Sequence, residues 1–290
     1  MAAHEGVHHD YHLVNPSPWP LIGSAASVIL TMGIVIWAKG VFGLPKGTWW
    51  PAAVGLAGIL VTMYAWWADV VRESRGGDHT PVVQLGLRYG MILFIMSEVM
   101  FFVAWFWVFF EMSLFHHVRT ASAIPEVRQA WTAWPPKGVE ILDPWHFPLI
   151  NTLILLTSGT TITWAHHAIQ TGDRKETRTG LILTILLGVC FTAVQAYEYR
   201  EIITEKLFFN PESVNAGLYG SAFFMATGFH GFHVLIGTLF LIVCLARLLS
   251  GQFTPKKHFG FEAAAWYWHF VDVVWLFLFA FIYVTLPKLH

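Results

Sequence analysis

The chain has 290 residues, of which 56% are hydrophobic and 12% are charged, and its mean hydropathy is +0.55. Soluble domains contain about a quarter charged residues, so this composition excludes an ordinary soluble protein and indicates an integral membrane protein. A formal net charge of -1 excludes a basic surface for nucleic acid.

Seven stretches of the chain are long and apolar enough to cross a bilayer. A hydrocarbon core of about 30 Å requires roughly 20 apolar residues in an α-helix. The alternating pattern of barrel strands is not seen. The sequence therefore predicts an all-α integral membrane fold with seven transmembrane helices, at 18–38, 50–70, 83–112, 147–170, 179–205, 215–248 and 262–286.

Turn residues and loop lengths divide the predicted helices into two groups. A short turn rich in Gly, Pro and Trp joins the first two stretches, which predicts a hairpin at 18–75. The remaining five helices form the second group, at 76–290. The proline-rich connection 112–146 is the longest predicted loop. Segment 200–213 shows no pattern that indicates a role.

Basic residues predict the orientation of the chain in the membrane. Arg and Lys are concentrated in the short loops after the second, fourth and sixth stretches, which places those loops inside. The polar segment 1–17 lacks the pattern of a signal peptide, so we expect it on the cytoplasmic or matrix side. These features favour a bacterial cell membrane, with the mitochondrial inner membrane as the alternative.

Glu98 lies near the middle of the third stretch, among apolar residues. A carboxyl group at this depth costs about 2.5 to 3.5 kcal/mol, so it either functions or connects helices. Its candidate partners are His230 and His233, which share one face of the sixth stretch at a spacing of three residues. Three interpretations of the histidines stay open: partners of Glu98, polar contacts between helices, or metal ligands together with His269.

Two further polar groups lie in or near the apolar stretches. His269 and Asp272 have the same three-residue spacing in the seventh stretch, which suits either a structural pair or proton chemistry. At the predicted inner membrane surface, aromatic and charged residues indicate either an ordinary interfacial belt or a phospholipid headgroup site. The residues of this candidate lipid site are Trp66, Arg72, Glu73 and Arg247.

Known catalytic motifs give no match, including phosphate-binding loops, nucleophile elbows and HExxH zinc motifs. Five segments instead resemble subunit III of the aa3-type haem-copper cytochrome c oxidases. They are YHLVNPSPWP at 11–20, SEVMFF at 97–102, WAHH at 164–167, TGFHGFHV at 227–234 and GFEAAAWYWHFVDVVWLF at 260–277.

The resemblance implies a subunit without a redox centre, in a respiratory complex that reduces O2 with electrons from cytochrome c and pumps protons. Haem a and copper would lie in partner subunits, chiefly subunits I and II, beside small subunits. Helices 1 and 2 would splay from helices 3 to 7 around a V-shaped cleft filled with phospholipid. Glu98 would be the carboxylate that hydrophobic carbodiimides modify, and the candidate lipid site would hold structural phospholipids.

Such a subunit would support the stability of subunit I, its proton uptake and its access to O2. Two other classes stay open on the residues alone. An autonomous haem or metal redox protein would use His230, His233 and His269. A secondary transporter would use Glu98 and Asp272, although the matched repeats typical of transporters are not evident.

Overall fold

The computed structural model describes residues 10–11, 16–137, 139, 141–206 and 214–285. Over this part of the chain the regular structure is helical and contains no strand, which confirms the predicted all-α class. The predicted N-terminal segment 1–17 lies mostly outside the described residues, as do positions 207–213 of segment 200–213.

Eight α-helices form the described structure, together with three short segments of other helix types. The α-helices are α1 (Trp19–Lys39), α2 (Trp50–Gly76), α3 (Pro81–Leu114), α4 (Pro125–Ala130), α5 (Phe147–Thr171), α6 (Arg174–Glu201), α7 (Val214–Leu249) and α8 (Phe259–Phe277). A 3-10 helix spans His116–Ala121, and π-helices span Ile202–Lys206 and Leu278–Thr285.

Six of the described helices are long and apolar enough to cross a membrane: α1, α2, α3, α6, α7 and α8 with its π-helical continuation. The seventh predicted stretch, 147–170, forms the 25-residue helix α5. Asn151 and the numerous Thr and Ser residues lower its hydropathy below that of the other six. The structure thus supports a multi-pass membrane protein with six apolar spans in the described residues.

Helix ends follow local chemistry. Asp173 precedes α6, and its side chain accepts a hydrogen bond from the backbone N-H of Glu176 at 2.9 Å, a standard N-terminal cap. Gly77 and Gly172 end α2 and α5 in the left-handed conformation, with φ of 98° and 86°. Glycine adopts this conformation without a steric penalty, so both helices end there.

The connection 112–146 is more ordered than a loop. It contains the 3-10 helix and α4. In addition, the Arg119 side chain contacts two other residues. Its guanidinium donates to Glu111 at 2.6 Å and lies 4.8 Å from the ring centre of buried Trp131. These interactions fix the connection against the end of α3.

The chain divides into two compact units, Met1–Tyr89 and Gly90–His290. In the first unit, α1 and α2 form an antiparallel hairpin in very close contact. A Cβ atom at Gly33 would collide with the backbone of Ala52, and one at Gly55 with the backbone of Leu30. The boundary predicted between 75 and 76 and the V-shaped cleft stay predictions.

The core of the second unit is aromatic, and two of its tryptophans hydrogen-bond to hydroxyl groups of a neighbouring helix. Trp268 and Trp275 of α8 are fully buried. Their indole N-H groups donate to Ser158 and Thr152 of α5, each at 2.9 Å. The hydroxyls that lower the hydropathy of α5 therefore satisfy the indoles of α8, and the two helices are joined by polar as well as apolar contacts.

Replacing Gly55 with Ala is expected to destabilise the hairpin by about 1 to 3 kcal/mol, because the added methyl group meets the backbone of Leu30. Gly86→Ala is the matched control, since a Cβ there meets no atom within 4 Å. Thermal melting of the two purified variants, followed by circular dichroism, measures the difference. Equal melting temperatures would show that the hairpin tolerates the methyl group.

Candidate functional site

The carboxyl group of Glu98 pairs with one of the two candidate histidines. Glu98 lies on α3 and His233 on α7, and Oε2 of the carboxyl is 2.9 Å from Nε2 of the imidazole. The Glu98 side chain is 24% exposed and the His233 side chain 11%, so the pair is mostly buried. The contact joins two helices that are far apart in sequence.

The second imidazole nitrogen determines where the protons lie. Nδ1 of His233 is 2.6 Å from the carbonyl oxygen of Phe229, and a carbonyl oxygen only accepts, so Nδ1 carries a hydrogen. The Glu98 carboxyl then either donates its proton to Nε2, or accepts one from a doubly protonated ring. In both arrangements one proton lies between the two groups, and the pair has no net charge. An uncharged pair is far cheaper to bury than a lone carboxylate.

Aromatic rings surround the pair. The His233 ring lies 5.0 Å from the ring of Phe102 and 6.1 Å from that of Phe101, measured between centres. Tyr267 stacks nearly parallel to it at 6.3 Å, and Phe270 lies 6.2 Å away. These apolar walls limit water near the proton that the pair shares.

His230 has a different environment, although it lies one helical turn from His233. It is fully buried, stacks on Trp275 at 5.1 Å and meets the edge of Phe191 at 5.8 Å. Neither of its ring nitrogens has a hydrogen-bond partner among the described residues. His230 therefore does not share in the contact with Glu98.

The described residues contain no group of three or more His, Cys, Asp or Glu side chains placed to hold a metal ion. His269 instead faces Asp272, with Nδ1 3.8 Å from Oδ2, and its Nε2 lies 3.2 Å from the hydroxyl of Thr163. Asp272 is buried in contact with Gly159. The structure thus gives His269 a carboxyl and a hydroxyl neighbour, and does not unite it with His230 and His233.

Three residues of the candidate lipid site lie on α2, within the first unit. Asp69, beside them, accepts from the indole N-H of Trp19 and from the guanidinium of Arg72, each at 2.6 Å. The Arg72 side chain stays 78% exposed, Trp66 is exposed, and Glu73 is half-buried. The roles of Trp19 and Asp69 in holding Arg72 were not predicted from the sequence.

Arg247 lies near the end of α7, in the second unit. Its guanidinium donates to the side-chain oxygen of Gln252 at 3.1 Å and lies 4.6 Å above the ring of Phe253. Stacking on an aromatic ring restrains a guanidinium group without neutralising its charge. Arg247 is therefore a cation held in a fixed position in the last turn of α7.

Sequence reasoning missed a buried polar cluster, formed by Asn151, Gln195, Glu198 and Tyr283. Glu198 is followed by Tyr199, Arg200 and Glu201, a run that is typical of a helix end at the membrane surface. Its burial depends on the packing of α5, α6 and the segment after α8, which local sequence does not reveal.

Comparison with known proteins gives matches over nearly the whole chain. The family model described as cytochrome c oxidase subunit III matches residues 9–285. A cytochrome c oxidase subunit 3 of Marchantia polymorpha is 54% identical over 276 residues, which cover 95% of this chain and 96% of the relative. Those of Arabidopsis thaliana and Cyprinus carpio are each 52% identical, over 96% and 95% of this chain and 97% of each relative.

Replacing His233 with Leu is expected to destabilise the protein by about 1 to 3 kcal/mol, since the buried Glu98 carboxyl then loses its hydrogen bond to the imidazole. Glu98→Leu and the double variant complete a cycle, in which the double variant should lose less stability than the two single losses added together. His117→Leu, at an exposed position, is the control. Additive losses in thermal unfolding would contradict a direct pair.

Proposed function

The chain belongs to the cytochrome c oxidase subunit III family, and from this membership and its polar sites we propose how it serves the oxidase. It is a membrane-spanning subunit of an oxidoreductase complex of the respiratory chain. The match over residues 9–285, with relatives of more than 50% identity, is the observation that carries this assignment.

Seven helices cross the membrane in this proposal, with α5 as the additional span. Its 25 residues give a length of about 37 Å, which exceeds a hydrocarbon core of about 30 Å. Its buried hydroxyls bond to indoles of α8, so they do not need water. The basic residues of the short loops favour an N-terminus on the inner side of a bacterial cell membrane or, alternatively, of the mitochondrial inner membrane.

Haem a and copper belong to partner subunits I and II, and small subunits complete the complex. Membership of the subunit III family favours a supporting rather than a redox role for this chain. We assign it the stabilisation of subunit I and the maintenance of proton uptake. Glu98 is the carboxyl we expect hydrophobic carbodiimides to modify, because its side chain is still 24% exposed on an apolar helix.

Structural phospholipids bind at the two arginine sites. Arg72 presents an exposed guanidinium, and Asp69 holds it through one of its carboxylate oxygens. Arg247 is held over Phe253. A guanidinium group binds phosphate oxygens in pairs, which suits the headgroup of a phospholipid at the inner membrane surface. Trp66 and Glu73 lie on the same helix end as Arg72. Apolar lipid tails would also dissolve O2 better than water does and give it a route to subunit I.

Replacing Arg72 or Arg247 with Ala is expected to lower the phospholipid content of the purified oxidase and to shorten its working life under turnover. Initial turnover should change little, because the metals lie elsewhere. Phosphorus assay and the decay of O2 consumption measure the two effects.

Arg75→Ala and Lys256→Ala are matched controls, since both remove an exposed cation close to the proposed sites. Loss of lipid from the controls and the test variants alike would mean that general surface charge binds the lipid. Unchanged lipid content and lifetime in the Arg72 and Arg247 variants would overturn the lipid proposal.

A further inference from the structure

A buried polar cluster lies in the second unit, away from the Glu98–His233 pair. It consists of Asn151 on α5, Gln195 and Glu198 on α6, and Tyr283 in the π-helix Leu278–Thr285. Each of these residues is at most 5% exposed. A carboxyl group, two amides and a phenol are thus enclosed together between three helical segments.

The hydrogen bonding of the polar cluster is incomplete. The Asn151 amide donates to the side-chain oxygen of Gln195 at 3.3 Å. Among the described residues, Asn151 Oδ1, Gln195 Nε2, both Glu198 oxygens and the Tyr283 hydroxyl have no hydrogen-bond partner. Tyr283 and Gln195 lie close to the Glu198 carboxyl, yet neither Glu198 oxygen has a hydrogen-bond partner of standard geometry among the described residues. Each buried polar group left in this state costs about 1 to 3 kcal/mol.

The backbone at the polar cluster is also unusual. Glu198 lies four residues before the π-helix Ile202–Lys206, and Tyr283 lies inside the other π-helix. A π-helical turn is wider than an α-helical turn, and such turns occur frequently at functional sites. Two separate π-helices therefore adjoin this cluster of buried polar side chains.

We propose that the polar cluster is a binding site for internal water, holding about one or two molecules. Water both donates and accepts, and so do the unpartnered groups. Asn151 Oδ1 and the Glu198 oxygens accept, while Gln195 Nε2 and the Tyr283 hydroxyl donate. A metal cation would face the hydrogens of the Gln195 amide, which repel it, so the donor set favours water over a cation.

The polar cluster lies near one end of α6. Glu198 lies near the carboxyl end of α6, and half-buried Glu201 follows it by one helical turn. At the Glu98–His233 pair, by contrast, both imidazole nitrogens have a hydrogen-bond partner. The second unit therefore has one carboxyl that is paired with an imidazole and another, near a helix end, that has no hydrogen-bond partner among the described residues.

A density map of the assembled oxidase that resolves ordered water tests the proposal on the unaltered protein. We expect water density at about 2.5 to 3.0 Å from a Glu198 carboxyl oxygen and from Asn151 Oδ1. Direct bonds from Tyr283 and Gln195 to Glu198, without water density between them, would overturn the proposal. Density surrounded by oxygen atoms alone, with the Gln195 amide reversed, would indicate a cation and overturn it as well.

Infrared spectra of the oxidase in ordinary and in oxygen-18 water provide a second test. Bands of internal water shift with the isotope, and we expect one such band to be lost in Glu198→Leu. Tyr283→Phe removes a single hydroxyl and should shift the same band. Glu126→Leu, at an exposed position on α4, should leave it unchanged. Identical isotope-sensitive bands in all four proteins would contradict a water site at Glu198.

Discussion

The bilayer offers no hydrogen bonds, and this constraint governs how the chain folds its backbone and pairs its polar side chains. Backbone groups satisfy one another inside helices, which is why the described regular structure is helical. Side chains must find partners in the same way. The indoles of Trp268 and Trp275 bond to hydroxyls of α5, and Glu98 bonds to His233. Polar residues here connect helices that apolar contacts alone would join less specifically.

Because of the same constraint, an ionisable side chain inside the bilayer needs a partner, whereas the two arginines of the proposed lipid sites lie at helix ends. Glu98 shares one proton with His233, so that neither bears an uncompensated charge. Arg72 and Arg247 lie at helix ends, where an exposed or stacked guanidinium can meet a phosphate group. A chain built this way suits the proposed support of a neighbouring redox subunit, since its polar groups join helices and, in our proposal, bind lipid headgroups.

Much of the fold could be predicted because the hydropathy of a segment indicates directly whether that segment lies in the bilayer or in water. The six apolar spans in the described residues follow from composition alone. α5 is less apolar because its hydroxyls accept hydrogen bonds from the indoles of α8. These bonds form only in the folded protein, so the sequence does not reveal them. The sequence placed both His230 and His233 on one helix face, but the rotation of α3 against α7 decides that His233 meets Glu98. Glu198 resembled a surface residue, and only the folded unit shows that it is buried.

The most direct measurement is an optical spectrum and a phosphorus assay of this chain, purified from mild detergent before and after its partners are stripped away. We expect haem a absorbance to co-purify with the chain and to leave with the partners, while phospholipid remains bound. A haem or copper signal that stays on the isolated chain would contradict this expectation, because the histidines would then be metal ligands.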